Sequence, residues 1–189
     1  NSMLAQYLNR IAEKRSRAVV LCGGNEGNAG HHYMGRFYGE NGGIAGSNGF
    51  GSTGSNVQSQ DVEIRVGEGD RGFFLEFWGA QPDTFNVAVR SPGGENIPPI
   101  RLGLEQTNTY RFVFENTVFT IQSVLVEPGA GEELIIFRVE NPTAGIWNFR
   151  VFPVGESTQG TFHMWLPIRA FQSAETYFLE PEPDITLTE

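Results

Sequence analysis

Apolar and polar residues alternate along most of the chain after residue 60. Val62, Ile64 and Val66 alternate with charged residues, and the same spacing recurs in segments separated by Gly, Pro or Asn. Alternation with a period of two places successive side chains on opposite faces of a β-strand. Strands about 12 residues apart therefore predict an all-β fold, an antiparallel β-sandwich of the jelly-roll type. The other predicted strands lie at residues 73–77, 85–89, 110–114, 118–126, 133–139, 146–152 and 161–168.

The beginning of the chain has a different pattern. Apolar residues recur at helical spacing within residues 1–17, and residues 18–22 form a continuous apolar run that predicts a strand buried on both faces. Half of the chain's 24 glycines lie within residues 23–54, which predicts a long irregular segment. We therefore expect a short α/β fragment ahead of the sandwich. The predicted boundaries are 1–56 for this fragment, 57–170 for the sandwich and 171–189 for a return segment.

Composition excludes several classes of partner. The chain has 22 acidic and 13 basic residues and a formal charge of −9, whereas binding to nucleic-acid phosphates needs clustered cations. The single cysteine, Cys22, excludes an internal disulfide and a Cys-based zinc site. No apolar run approaches the roughly 20 residues of a membrane span. The chain opens on a helical pattern without the features of a signal peptide, so we expect a piece of a longer protein.

The sequence Gly24-Asn25-Glu26-Gly27 follows the apolar run 18–22 after a single residue, Gly23. Ligands of α/β sheets bind beyond the carboxyl ends of the strands. Glycines let a substrate backbone approach closely, and the side-chain amide of Asn25 can donate hydrogen bonds to a developing oxyanion. A second interpretation is that Asn25 only forms a turn, since Asn tolerates a left-handed backbone. The residues alone leave both interpretations open.

Nucleotide-binding loops do not fit these glycines. A dinucleotide-binding fingerprint needs G-x-G-x-x-G, but the glycines at 24, 27 and 30 lack the first G-x-G. A phosphate-binding loop needs Gly-Lys-Ser/Thr, and the only lysine is Lys14, upstream of the loop. We therefore expect no nucleotide site here.

The motif and its setting resemble the subtilisin-like serine proteases, in which an apolar strand ends in a similar Gly-Asn-Glu-Gly sequence. The resemblance is to the clostridial branch, which carries a jelly-roll domain inserted within the protease domain; it covers residues 1–56 by motif and 57–170 by architecture. It implies a serine endopeptidase that hydrolyses protein or peptide substrates without a cofactor. It also implies that Asn25 supplies the oxyanion-hole amide and that Gly24, Asn25 and Glu26 border the substrate pocket. A spore-associated or extracellular setting would follow.

The catalytic Asp, His and Ser motifs of that family do not occur in this sequence. Residues 51–55 (GSTGS) lack the order of the family's nucleophile motif, and we interpret them as a linker. His31 and His32 lie outside the family's histidine context; we expect them in a loop near the substrate cleft, and a metal site with Glu40 is a weaker alternative. We therefore expect the chain alone to be catalytically inactive and the remainder of the protease domain to be its partner. Residues 1–56 would be poorly ordered or would borrow a second copy, which would give a homo-oligomer.

Aromatic side chains are predicted on the outer face of the sandwich. Alternation places Phe74, Trp78 and Trp165 opposite the core, with His163 beside Trp165. Such rings could pack against the protease domain, lie partly buried within the sandwich, or stack on sugars. The alternative function is therefore a non-catalytic carbohydrate- or protein-binding β-sandwich. A stand-alone adhesin or coat domain would leave the Gly-Asn-Glu-Gly sequence without a purpose.

Overall fold

The chain forms two β-sheets that pack face to face. A computed structural model describes residues 3–14, 16–20, 26–37, 59–100, 106–128, 130–155 and 160–180. Within these residues there are one α-helix, α1 (Met3–Ala12), a short 3-10 helix (Arg169–Phe171) and eleven strands. The strands are β1 (His32–Arg36), β2 (Gln60–Val66), β3 (Gly72–Gly79), β4 (Phe85–Arg90), β5 (Asn96–Ile100), β6 (Gln106–Phe112), β7 (Thr117–Val124), β8 (Glu133–Glu140), β9 (Gly145–Pro153), β10 (Thr161–Trp165) and β11 (Thr176–Phe178).

Both sheets are antiparallel. One has the strand order β1-β10-β3-β8-β7-β6 and the other the order β11-β2-β9-β4-β5. The predicted all-β sandwich is confirmed. β2 pairs with β9, and β3 pairs with β8, so early strands lie beside late strands as in a jelly roll. β4 and β5 pair as sequence neighbours, as do β6, β7 and β8.

Alternate residues of the strands fill the space between the sheets. Leu75, Phe77 and Phe137 of the first sheet and Phe149 of the second are fully buried, because period-two alternation aims them at the same layer. Trp147 also lies in this core, and its indole Nε1–H donates to the Thr143 carbonyl at 2.9 Å. The hydrogen bond satisfies the polar atom of the ring inside an apolar core.

The middle of the chain differs from the sequence prediction at two points. The strand predicted at 110–114 ends earlier than expected: β6 ends at Phe112, and Phe114 lies in the following turn with 82% of its surface exposed. Asn116, at φ 55°, adopts the left-handed conformation within this turn. Alternation also does not predict β5, because Pro98 and Pro99 interrupt its pattern. Proline lacks an N–H and is accepted here because β5 is an edge strand of its sheet.

The first segment follows its predicted structure only in part. The predicted helix is confirmed as α1, within residues 3–12. The predicted buried strand at 18–22 is wrong for residues 18–20, which are not in a strand, and Val20 is 91% exposed. A strand is buried on both faces only within a sheet, and no described strand pairs with these residues. Residues 21 and 22 lie outside the described part.

A strand also occurs where the glycines predict irregular structure. β1 lies within residues 23–54 and pairs with β10, with His32 opposite Trp165 and Arg36 opposite Thr161. The prediction is therefore wrong for these five residues, and His32 is in a strand, not in a loop. Gly35 is needed at this point, because a Cβ there would overlap the ring of Phe162. The sandwich thus includes β1 and β11, which lie outside residues 57–170.

Candidate functional site

Of the three residues predicted to border the substrate pocket, Glu26 lies within the described part of the chain, and Gly24 and Asn25 lie outside it. The Glu26 carboxylate is two-thirds buried and makes two contacts through Oε2. The backbone N–H of Arg169 donates to Oε2 at 3.0 Å, and His31 Nδ1 lies 3.1 Å from the same atom. The Glu26 backbone carbonyl accepts from the Ala29 N–H at 2.8 Å, which closes the turn that follows. The residue directly after Asn25 is therefore held to the segment that follows β10.

His31 contributes to this contact as a neutral ring. It is buried, and burial lowers the pKa of the imidazole below its ordinary value, although the Glu26 carboxylate acts in the opposite direction. The tautomer with a proton on Nδ1 then donates to Glu26 at neutral pH. The bond between His31 and Glu26 is accordingly a charge-assisted hydrogen bond from a neutral donor.

The chain enters and leaves the sandwich at neighbouring points. The Phe178 N–H in β11 donates to the Gly30 carbonyl at 2.8 Å, and the Leu166 N–H donates to the His31 carbonyl at 2.8 Å. β1 is an edge strand of the six-stranded sheet, and β11 is an edge strand of the five-stranded sheet. Residues 26–31 therefore lie between the β1 edge of one sheet and the β11 edge of the other, beside the point where the chain leaves β11.

A buried carboxylate fixes the segment before β11. Asp70, only 7% exposed, lies in the turn between β2 and β3. Its Oδ1 accepts from Ser173 Oγ at 2.6 Å and from the Gly72 N–H at 2.9 Å, and its Oδ2 accepts from Thr176 Oγ1 at 2.7 Å. Hydrogen bonds to a charged acceptor are roughly twice as strong as neutral ones. Asp70 thus holds the last described residues against the sandwich.

A second histidine pair lies beside this region. His32 Nε2 and His163 Nδ1 are 3.0 Å apart, and the His32 ring stacks on Trp165 with centroids 3.8 Å apart. Burial lowers the pKa of His163, assisted by Arg36 and opposed by Glu132. His31 and His32 therefore contact different partners. Glu40 lies outside the described residues, among which no group of three or more His, Cys, Asp or Glu side chains could hold a metal ion.

The predicted outer-face aromatics are placed as expected. Phe74 is 53% exposed and Trp165 38% exposed, whereas their neighbours along each strand point into the core. Each ring already has a partner: Trp78 Nε1–H donates to Glu76 at 3.0 Å, and the guanidinium of Arg138 lies 5.9 Å from the Phe74 ring centre. One face of Trp165 is covered by His32. Among the described helices, none has the length and apolar character needed to cross a membrane.

Comparisons with known proteins show a similarity to a solved structure. No protein-family model matches the chain, and no curated protein matches it. Among solved structures, the chain is similar to the CspB protease of Clostridium perfringens, with 24% sequence identity and a TM-score of 0.70. The similarity covers 96% of this chain and 34% of that protein, so the chain spans about a third of the length of the protease. At this identity the likeness shows the fold, and the chain therefore shares its architecture with part of a clostridial protease.

Proposed function

We propose that this chain is part of a subtilisin-like serine endopeptidase of the clostridial type, with the sandwich inserted into the protease domain. In this proposal Asn25 donates its side-chain amide to the oxyanion that forms during peptide-bond cleavage. Gly24, Asn25 and Glu26 border the substrate pocket. The nucleophile and the general base belong to the remainder of the protease domain, so the chain alone is inactive.

This proposal rests on the proximity of the two points at which the chain enters and leaves the sandwich. Gly30 and Phe178 are joined by a backbone hydrogen bond of 2.8 Å. A domain inserted into a loop of another domain needs its two connections close together, and here they are neighbours. The first connection follows the Gly-Asn-Glu-Gly sequence within a few residues. The likeness to the CspB protease supports the same arrangement, since it extends over 96% of this chain.

The contacts of Glu26 suggest how the sandwich would act on catalysis. An oxyanion hole works because its donors are fixed before the reaction and need no reorganisation. The hydrogen bond from the Arg169 N–H restrains the residue next to Asn25. The sandwich would therefore rigidify the oxyanion loop, and its outer face around Trp165, close to the same segment, would pack on the protease domain. A sugar-stacking platform, the alternative function, would have to use the other face of the Trp165 ring, because His32 covers one face.

An activity-based serine-hydrolase probe tests whether catalysis needs the remainder of the protease domain. The probe is expected to leave the 189-residue chain unlabelled and to label the protein when its gene is extended in both directions. In that longer protein, Asn25→Ala should lower kcat by about 10²–10³ with little change in KM, a magnitude known for this amide in subtilisin itself. Asn28→Ala, an exposed Asn in the same loop, is the control. Labelling of the chain alone, or an unchanged kcat for Asn25→Ala, would contradict the proposal.

A proline substitution tests the role of the sandwich. Arg169→Pro removes the N–H that donates to Glu26, and the extended backbone of Ile168 (φ −59°, ψ 154°) suits a residue before proline. Arg169→Ala keeps the N–H and loses only an exposed ion pair with Glu175. The proline variant of the longer protein should lose up to about 100-fold in kcat, since a hydrogen bond to a charged group contributes about 1.5–3 kcal/mol. Equal kcat values for the two variants would exclude this role.

A further inference from the structure

His31 lies where the chain enters the sandwich, and its backbone is held by both sheets. Its carbonyl accepts from the Leu166 N–H at 2.8 Å, and the neighbouring Gly30 carbonyl accepts from the Phe178 N–H at 2.8 Å. Leu166 directly follows β10 of one sheet, and Phe178 ends β11 of the other. His31 is also only 9% exposed. The position of its ring is therefore set by the sandwich.

The His31 ring reaches the loop that precedes the sandwich through one atom. Its Nδ1 lies 3.1 Å from Glu26 Oε2, and the backbone N–H of Arg169 donates to the same oxygen at 3.0 Å. With Arg169 as the single donor, the Glu26 side chain could still turn about that bond, because a carboxylate oxygen accepts over a broad range of directions. The second donor removes this freedom. Two donors that the sandwich holds in place thus fix the carboxylate of Glu26.

We propose that His31 is a positioning residue of the oxyanion loop, which fixes the neighbouring Asn25 by holding Glu26. The inference rests on the proposed function, because that function assigns the oxyanion-hole amide to Asn25. His31 contacts no substrate and acts only through Glu26. Its effect is on turnover, since an oxyanion donor acts in the transition state and a misplacement of about 1 Å can cost about 100-fold in rate.

The surroundings of His31 favour the proton state that this role needs. The charged groups that act on the ring are Glu26, Arg169 and Glu175. Arg169 and Glu175 form an ion pair of 3.0 Å and act on the ring in opposite directions. Burial has the largest effect and lowers the pKa of His31, so the ring is neutral at neutral pH and carries one proton. Because a carboxylate only accepts, this proton lies on Nδ1.

Two amide side chains separate the Nδ1 donor from the rest of the ring. Asparagine carries its NH₂ group on Cγ, as histidine carries Nδ1, whereas the NH₂ group of glutamine lies one bond further from the backbone. His31→Asn therefore keeps a donor to Glu26, and His31→Gln loses it. In the longer protein, His31→Gln and His31→Ala should lower kcat by about 10- to 100-fold with little change in KM, because a hydrogen bond to a charged group is lost. His31→Asn should keep kcat within about 3-fold of the wild type.

Ile121→Val is the control for a general loss of stability. Ile121 is buried in β7, and three strands lie between β7 and β1. The substitution removes a methyl group from the core and leaves residues 26–31 in place, so its kcat should equal that of the wild type. A similar loss of kcat in Ile121→Val would show that the His31 variants act through stability alone, which overturns the proposal.

The 189-residue chain provides a measurement that does not depend on catalysis. Nitrogen NMR of the His31 ring should show the proton on Nδ1 at neutral pH. Amide hydrogen exchange at Arg169 should be faster in His31→Gln than in the wild type, and His31→Asn should restore the slow rate. A ring proton on Nε2, or equal exchange rates in the two variants, overturns the proposal.

The comparison of asparagine with glutamine decides the positioning role even if the alanine variant does not fold. Equal kcat values for His31→Asn and His31→Gln refute it. A failure of the proposed function is a different result, because it would appear as an unchanged kcat in Asn25→Ala. A loss of kcat in Asn25→Ala together with an unchanged kcat in His31→Gln refutes the positioning role alone.

Discussion

A buried carboxyl group on β8 predicts that the sandwich loses stability as the pH rises. Glu133 is completely buried, and its Oε2 accepts from the Phe85 N–H at 3.0 Å. Its Oε1 has no hydrogen-bond partner among the described residues. Burial disfavours the charged form and raises the pKa of Glu133 to about 8, against the smaller opposing effect of the Phe85 hydrogen bond. At neutral pH the folded protein therefore carries a neutral carboxyl group here.

The sign of the effect follows from proton binding in the two states. Between pH 4.5, the ordinary pKa of the group, and pH 8, the folded state holds a proton that the unfolded state has released. The free energy of unfolding therefore falls by about 1.4 kcal/mol per pH unit across this window. At pH 7 the accumulated cost is about 3 kcal/mol, which is a large share of the usual stability of a single domain.

Glu133→Gln tests this reasoning, because its amide oxygen can still accept from Phe85 but the side chain cannot ionise. Its unsatisfied N–H₂ group is expected to cost about 1–3 kcal/mol at every pH. The difference in free energy of unfolding, variant minus wild type, should therefore rise by about 3 kcal/mol between pH 5 and pH 7.5. Urea unfolding followed by tryptophan fluorescence measures it at both pH values.

Glu68→Gln is the matched control, since Glu68 is exposed in the turn between β2 and β3 and should show no such rise. The comparison of variant with wild type at each pH cancels the titration of all other groups. A difference for Glu133→Gln that stays constant within about 0.5 kcal/mol, the usual error of additivity, would show that this carboxyl group is ionised in the folded state.

Three further substitutions test the packing around β1 and β11. Asp70→Ala should destabilise the chain by about 3 kcal/mol or more, because several hydrogen bonds to one carboxylate are lost. The rate of amide hydrogen exchange should increase most at residues 173–176. Burial lowers the pKa of His163, so stability falls as the pH drops below the unfolded value near 6.5, and thermal melts at pH 5 and 7 should show a smaller fall for His163→Gln. Gly35→Ala should lower the free energy of unfolding by about 1–3 kcal/mol, because the added Cβ would overlap with Phe162. The comparison is Gly69→Ala, since no atom lies within 4 Å of a Cβ added there. In that variant only the left-handed backbone conformation is unfavourable, by about 1 kcal/mol. Equal losses for the two glycines in a chemical unfolding series would contradict the packing argument.

The strands that pair across the core could be predicted because their sequences carry the pattern of their surroundings. Ile64, Phe77 and Phe149 each alternate with more exposed residues, and a sheet with one buried face enforces that alternation. The same logic places Trp165 outside and Met164 inside on β10. Where a strand lacks this contrast, periodicity gives no signal.

β1 and β11 could not be predicted for a reason other than proline. β1 has the sequence HYMGR, in which a histidine and a glycine are buried as deeply as the tyrosine. β11 has only three residues. Their place in the sandwich depends on partners far along the chain, such as Trp165 for His32 and Val66 for Thr176. Pairing at this distance is set by tertiary contacts and not by local preference.

For the same reason, the Gly-Asn-Glu-Gly sequence does not predict which distant residues contact it. The sequence predicts which side chain could donate to an oxyanion, because that depends only on the chemistry of Asn25 and on the glycines beside it. It gives no sign that Glu26 would bind the backbone of Arg169, 143 residues further on. That bond uses a backbone N–H, which every residue except proline carries, so no residue type marks it in advance. If the loop belongs to an oxyanion hole, its rigidity therefore depends on a part of the chain that no motif identifies. For this reason the substitution Arg169→Pro tests the role of the sandwich more directly than a change of the Glu26 side chain.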